Sequence, residues 1–502
     1  LAEEVILAKY EIKCLNATVP VKIIRRKKDV VLNYFLELPL PGPGTKALMD
    51  KIKENIISAL PVGIERILDI HFFEKVRNKV IALTKESLDK EDLKISEEEK
   101  NLLTAHLVNE LLGIGVLEFL LSDPYLEEIV VNSSREPIWV FHKNFGWLKT
   151  NMIIASEEQI QNYASIIARR VGKQISVLNP LLDAHIITGD RANATLFPIS
   201  SFGNTITIRR FRRQPWTATD FIRNNTVSAE AMAFIWQAFQ YELSVIISGG
   251  TASGKTTMLN VCMPFIQNNH RIITIEETRE LMLPRFLHWV PLTTREPNPE
   301  GKGGITMLDL LVNALRMRPD RLVVGEVRRE REVEVLFEAM LTGHSGYTTV
   351  HANTAEQTIR RITTPPMSLP PSILPAAHLN IVMFRNRRTG RRYVLEIAEY
   401  IPERRGVTEE YVSANILYRY KPTVGRVVKQ NDSIRVADEL SAYTGLSPRE
   451  LQQDLKEKQK ILEWMLKQNI NTLEEIGKVV NSYYLDRDHV LELVKKNKPF
   501  KV

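Results

Sequence analysis

Ser248-Gly249-Gly250-Thr251-Ala252-Ser253-Gly254-Lys255-Thr256-Thr257 organises everything around it. The apolar run Leu243 to Ile247 precedes it and reads as a buried strand. Met258 to Ile266 follows and reads as the start of a helix. Strand, glycine-rich turn and helix with the spacing G-x-x-x-x-G-K-[ST] make a phosphate-binding loop. Gly249 and Gly254 let the backbone curl until successive N–H groups point inward, an anion nest at a helix N-terminus. Lys255 is then placed for the β- and γ-phosphates, and the Thr256 hydroxyl for Mg²⁺. Gly249 to Thr257 are therefore the expected nucleotide-binding residues, with Thr256 as an expected metal ligand. A purely structural glycine turn is the alternative. The ordered strand and helix on either side argue against it.

The remaining composition is that of an ordinary globular protein: 502 residues, 44% hydrophobic and 25% charged. That length holds three or four domains. The first residue is Leu1, not Met, so the natural start is expected upstream. No run approaches the roughly eighteen apolar residues of a membrane span, and no signal-peptide pattern opens the chain. A cytoplasmic protein is expected. Lys plus Arg is 67 against 60 Asp plus Glu, a net +7 that is mild for this length. It permits contact with anionic lipid or nucleic acid and requires neither. Cys14 and Cys262 are the two cysteines, too few for a disulfide framework or a four-cysteine zinc site.

Taken in order, residues 1–100 read as a small α/β or helical module. It has a strand over Val30 to Leu38, the turn-rich Pro39 to Gly44, and helical patterns over Leu48 to Leu60 and Ile67 to Val80. The basic run Arg25-Arg26-Lys27-Lys28 reads as a solvated edge. Residues 101–213 read as an α+β domain, with a helix over Leu102 to Leu112 and strands at Ile129 to Asn132 and Ile138 to Phe141. A helix over Glu157 to Val171 and strands at Thr195 to Phe197 and Thr205 to Ile208 complete it. Residues 214–226 read as a linker and 227–400 as the nucleotide domain, closing with a hairpin of Leu379 to Phe384 and Tyr393 to Ile401. Residues 401–502 read as a mostly helical extension.

Four segments around the loop carry chemistry. Arg271 to Glu276 is expected as the strand beside the phosphate-loop strand, delivering Glu276 to the carboxyl edge, where ligands of open α/β sheets sit. A carboxylate there can orient the attacking water. Leu322-Val323-Val324-Gly325-Glu326 is a buried strand ending in glycine and an acid. Glu326 is expected to hold Mg²⁺ through water or to polarise the nucleophile, while Gly325 leaves room for phosphates. Thr342 to Asn353 sets the strand Tyr347 to Val350 between His344 and His351. Zinc ligation is not expected, since no further Cys or His stands at ligand spacing. The better reading is hydrogen-bonding sensors of the γ-phosphate. Upstream, Arg191, Arg209 and Arg210 offer planar cations that can close on bound phosphates. Strand alternation splits Arg209 from Arg210, and Arg191 and Arg210 are the preferred catalytic pair.

The set GGTASGKTT, IEETREL, LRMRPDRLVVGEVR and TGHSGYTTVHAN resembles the secretion ATPase superfamily of type II and type IV secretion, type IV pilus and archaellum motors. The resemblance covers roughly Leu112 to Tyr400. It implies that Glu276 belongs to an Asp box, Glu326 to an atypical Walker B, and His344 and His351 to a His box. It also implies an α/β fold, in which a RecA-like P-loop ATPase domain follows a PAS-like α+β domain with further N- and C-terminal modules. The protein so implied is an ATP- and Mg²⁺-dependent homo-hexamer, peripheral to the inner face of the cell membrane and working on a polytopic membrane platform protein. Two cysteines exclude the four-cysteine zinc module usual in bacterial type II members, and the chain is longer at both ends than compact conjugation and retraction members. It therefore looks most like the archaeal branch, with pilus or archaellum assembly or secretion as the output.

Two further readings stand beside this motor. A nucleic-acid-translocating RecA-like motor is the alternative, weakened because no aromatic-plus-basic stacking segment is evident and the charge is diffuse. A non-hydrolysing nucleotide scaffold is disfavoured because Glu276 and Glu326 are both present.

Overall fold

The computed structural model describes residues 4–38, 42–59, 70–90, 95–186, 189–210, 215–297, 301–405 and 409–500. The chain divides into two compact units, Leu1–Arg212 and Arg213–Val502. Part of the Pro39 to Gly44 turn, the start of the Ile67 helix and Phe211 to Arg213 lie outside the described residues.

The first unit is built on one nine-stranded sheet. Its strands are β1 (Glu4–Cys14), β2 (Ala17–Arg26), β3 (Asn33–Leu36), β4 (Leu126–Val131), β5 (Trp139–His142), β6 (Gly146–Thr150), β7 (Leu181–His185), β8 (Arg191–Thr195) and β9 (Thr205–Arg209), in the order β1-β2-β3-β6-β5-β4-β9-β8-β7. Period-two alternation puts Ile129, Val140, Leu148, Ala192 and Ile208 into a core with Phe119, Ile160 and Ile167 from the helices Leu117–Leu121 and Glu157–Arg170. The intervening Trp139, Phe141, Trp147, Arg191 and Arg209 are half-buried or exposed. A division at residue 100 is not what forms. β3 pairs with β6 (Asn33 opposite Lys149), so the sheet runs through the expected boundary. Tyr10 and Tyr34 donate hydroxyls to Asp123 at 2.7 and 2.8 Å, tying the first strands to the segment before β4. β1, β2, β6 and β7 add to the strands expected, and β1 carries the period-two signal in Ala8-Lys9-Tyr10-Glu11-Ile12, with its charges on the open face.

Among its described residues the second unit also holds nine strands: β10 (Val245–Gly249), β11 (Arg271–Glu276), β12 (His288–Thr293), β13 (Arg321–Val324), β14 (Ser345–Val350), β15 (Leu379–Arg385), β16 (Arg392–Arg405), β17 (Glu409–Lys421) and β18 (Arg426–Lys429). Their order is β12-β11-β13-β14-β10-β15-β16-β17-β18. β10 to β15 run parallel and β15 to β18 form an antiparallel meander. The inner strands β10, β11 and β13 are covered on both faces, which is why they read as largely apolar runs, whereas β12 is the half-exposed edge. Val245, Ile247 and Val323 face one core, with the helices Ala229–Gln240 and Lys255–Cys262. Ile246, Leu322 and Val324 face the other, with Met307–Leu315 and Glu330–Leu341.

Three sequence expectations change here. β11 is not beside β10: the chain returns twice, as β13 and β14, to fill the space between them. The linker contains a helix, Ala218–Arg223, started by a capping box of Thr217 and Asp220. It is also anchored, since the Thr219 hydroxyl donates to the Ile470 carbonyl at 2.8 Å. Residue 400 falls inside β16, so the expected helical extension begins as sheet and becomes helical only from Val436–Thr444 onward. Its helices Pro448–Lys467 and Leu473–Leu485 close the core over Trp236. The Trp236 indole donates to the Tyr484 hydroxyl at 2.7 Å, and that hydroxyl donates to the Phe265 carbonyl at 2.7 Å.

Candidate phosphate-binding and catalytic site

β10 is buried along its whole length and delivers Ser248 and Gly249 to the carboxyl edge of the sheet. Gly249 has φ +155°, and a Cβ on it would lie 2.4 Å from Ser253 Oγ and 2.5 Å from the Met383 carbonyl oxygen. Only glycine fits. Ala252 (φ +58°) and Gly254 (φ +97°) complete the curl, and Gly254 is the N-cap of the helix Lys255–Cys262. The first amides of that helix have no acceptor within it, so Lys255, Thr256 and Thr257 turn donors toward the mouth of the loop. Ser253 Oγ is buried with no hydrogen-bond partner. The arrangement is a cradle for an anion.

Lys255 is 8% exposed. Its Nζ lies 3.4 Å from the Gly250 carbonyl and 3.3 and 3.4 Å from the two ring nitrogens of His351. His351 Nε2 stands 3.2 Å from Glu326 Oε1, and Arg328 Nη2 donates to Glu326 Oε2 at 2.8 Å. Arg328 Nη1 also meets both Glu277 oxygens at 3.1 Å. Burial lowers the Lys255 pKa, against the nearby Glu326 charge. Burial and then the Lys255 charge lower that of His351, so its ring is neutral at pH 7. Cations and carboxylates alternate from Lys255 to Glu277 along the carboxyl edge.

Glu276 ends β11 and is 2% exposed. Its Oε1 accepts the Glu280 and Leu281 amides at 2.9 and 3.1 Å, while Oε2 is buried without a partner. Burial pushes the carboxyl up to about 7, against those two amides. A carboxyl that takes and loses a proton near neutrality suits general-base work. Gly325 serves this residue: a Cβ on it would lie 3.4 Å from Glu276 Cγ. The room expected for phosphates is room for the neighbouring acid.

The sequence-derived set therefore divides. Gly249 to Thr257, Glu326 and His351 come together at one edge, with Glu276 on the strand next to β13. His344 does not join them. It precedes β14 at the opposite edge, with Nδ1 3.2 Å from the Ala339 carbonyl, about 20 Å from His351 at strand rise. The expectation that both histidines sense the γ-phosphate does not hold, because the six-residue strand between them sets them at opposite edges of the sheet. The arginines lie in the first unit. Arg191 and Arg209 stand directly opposite each other on β8 and β9 and share a face, Arg191 making a fork to Asp183 at 3.1 and 2.6 Å. Arg210 instead donates to the Asp123 and Leu126 carbonyls. Alternation separates Arg209 from Arg210 as expected, but it is Arg209 that pairs with Arg191. Asn353, Arg328 and Arg392 were missed as site residues. Asn353 Oδ1 packs against Gly250, 2.8 Å from where a Cβ would be, and Arg392 Nε donates to the Ala252 carbonyl at 2.9 Å. Asn353 and Arg328 sit inside the motifs that drew attention, whereas Arg392 comes from a distant hairpin strand and left no local signal.

The protein is thus of mixed α/β class, with an anion cradle and two acids at the carboxyl edge of its second sheet. Residues 190–387 match the family model described as type II/IV secretion system protein. Over 471 residues the chain is 31% identical to an uncharacterized protein of Methanocaldococcus jannaschii, covering 91% of this chain and 82% of that one. The type IV secretion system protein PtlH of Bordetella pertussis is 29% identical over 311 residues, 55% of this chain and 91% of PtlH. Among solved structures, the Legionella pneumophila ATPase DotB matches with a TM-score of 0.40 at 19% identity, over 76% of this chain and 94% of DotB. The chain belongs to the type II/IV secretion system protein family. Among the described residues no helix is long and apolar enough to cross a membrane, and no three His, Cys, Asp or Glu side chains gather as a metal cluster.

Proposed function

We propose that the chain hydrolyses ATP at the 249–257 loop and acts as a motor of secretion or of pilus- or archaellum-type filament assembly. In this reading the second unit is the RecA-like ATPase domain and the first contains the PAS-like domain. The working form is a homo-hexamer at the inner face of the cell membrane, acting on a polytopic platform protein. The observation that carries the reading is Lys255, buried in the cradle and held by the neutral His351 that also meets Glu326.

A triphosphate in the loop offers Lys255 a stronger partner than a neutral imidazole, so Lys255 exchanges His351 for β- and γ-oxygens. His351 is then released to hydrogen-bond the γ-phosphate. Glu276 accepts a proton from the attacking water, its oxygen Oε2 having no competing donor. The donor set fits Mg²⁺: the Thr256 hydroxyl and the Glu326 carboxylate are hard oxygens, and a site with few protein ligands suits a cation that keeps waters and phosphate oxygens. Thr256 and Glu326 would hold the Mg²⁺, which would supply charge neutralisation of the phosphates.

Lys255→Ala tests this reading. ATP turnover by the purified full chain is expected to fall to background, because that ammonium is the main side-chain cation offered to the β- and γ-phosphates. Near-normal turnover would sink the reading. Stimulation by anionic vesicles and none by DNA separates the membrane motor from a nucleic-acid motor.

A further inference from the structure

The groups assigned to hydrolysis all lie on one side of β10. His351 follows β14, Glu326 follows β13 and Glu276 ends β11, and these strands are stacked in that order away from the loop strand. Lys255 leans the same way, toward His351. A nucleotide whose terminal phosphate meets these groups must leave the loop with its nucleoside toward the other side, where β15 and β16 lie.

Arg392, the first residue of β16, stands there. Its Nε donates to the Ala252 carbonyl at 2.9 Å, and its Cδ lies 3.7 Å from where a Cβ on Gly254 would be. The side chain is exposed and packs along the outer rim of the phosphate loop. Its neighbour Arg391 is directed elsewhere, donating to the Gly425 carbonyl at 3.2 Å and lying over the Tyr420 ring. Strand alternation separates the two. Arg385, opposite Arg392 on β15, adds a second exposed positive charge at the same rim. The anionic group of a nucleotide on its nucleoside side is the α-phosphate, and a planar guanidinium is suited to its oxygens. We propose that Arg392 receives the α-phosphate of the bound nucleotide, using its bond to Ala252 to set the guanidinium at the rim. This rests on the ATPase reading above and extends it to the far end of the substrate.

The test compares Arg392→Gln with Arg387→Gln, an exposed arginine in the turn of the same hairpin. Removing a charge-assisted contact common to ATP and ADP is expected to raise the KM for ATP and the inhibition constant of ADP together, by about tenfold. At saturating ATP, kcat is expected to stay within about twofold, since α-phosphate contacts act on ground and transition state alike. Inorganic pyrophosphate, which has no third phosphate, is expected to inhibit parent and variant equally. Arg392→Lys is expected to recover part of the lost affinity. An unchanged KM overturns the proposal. So does a collapse of kcat, which would put Arg392 on the γ-phosphate. Pyrophosphate inhibition weakened in step with ATP would reduce Arg392 to shaping the loop, and an equal effect from Arg387→Gln would reduce it to diffuse charge; either defeats the assignment. A parent protein without ATP turnover would fail the ATPase reading instead, and that is seen before any Arg392 variant is made.

Discussion

Replacing Glu276 by Gln isolates the energetics of its burial. The native carboxyl holds its proton up to about pH 7, and its ordinary value is 4.5. Between those values the native state binds more protons than the unfolded chain, so this residue's contribution is fully present below pH 4.5 and is lost as pH rises through 7. At 1.36 kcal/mol per pH interval, the loss is about 3 kcal/mol. Glutamine keeps an oxygen for the Glu280 and Leu281 amides. It puts an NH₂ group where Oε2 has no partner, at a fixed penalty of roughly 1–3 kcal/mol that does not vary with pH. The stability difference between parent and variant is therefore expected to move about 3 kcal/mol in the variant's favour between about pH 4.5 and pH 8.5. Urea unfolding of the full nucleotide-free chain across that range, followed by tryptophan fluorescence and circular dichroism, measures it. A difference flat to within about 0.5 kcal/mol would refute the raised carboxyl. The same titration has a kinetic face: kcat of the parent is expected to rise through about pH 7, and the Gln variant to be slow at every pH.

Glu326→Gln is expected to bind ATP within a few-fold of the parent and to turn it over at least about a hundredfold more slowly, as equilibrium binding and single-turnover assays would report. Arg210→Lys should lower the melting temperature through loss of the bonds to the Asp123 and Leu126 carbonyls, and an unchanged melt would show that those bonds do not hold the sheet. Gly249→Ala drives a Cβ into the Met383 carbonyl oxygen, and the backbone there cannot yield. It should destabilise by about 2 kcal/mol or more and abolish nucleotide binding, measured by urea unfolding and a fluorescent ATP analogue.

What was legible in the sequence was what is local. The phosphate loop, the acids ending β11 and β13 and the histidine ending β14 each announce themselves, because an apolar run buried on both faces must stop in a polar residue at the sheet edge. His344 was legible too: the strand read between it and His351 already sets the two rings at opposite ends, and one γ-phosphate cannot meet both. β1 was also legible: Ala8-Lys9-Tyr10-Glu11-Ile12 alternates apolar and charged residues, the period that buries Ile12 and leaves the charges outside. Arg392 could not be found at all, since its bond to Ala252 spans 140 residues and depends on the order of strands in the sheet. The boundaries at 100 and 400 failed likewise, because hydrogen bonds between strands cross them without any mark in composition.

The bond between Trp236 and Tyr484 joins residues 248 positions apart. A ribosome lays down the loop, both acids and His351 well before it reaches the helices that roof Trp236 and Phe265. At 5–20 residues per second, that aromatic pair stays uncovered for on the order of 10–50 s of synthesis. The nucleotide unit consequently matures from its tail. A message cut short after His351 yields the loop, both acids and that histidine but leaves an open flank of tryptophan and phenylalanine, a surface that chaperones hold and that aggregates when they do not.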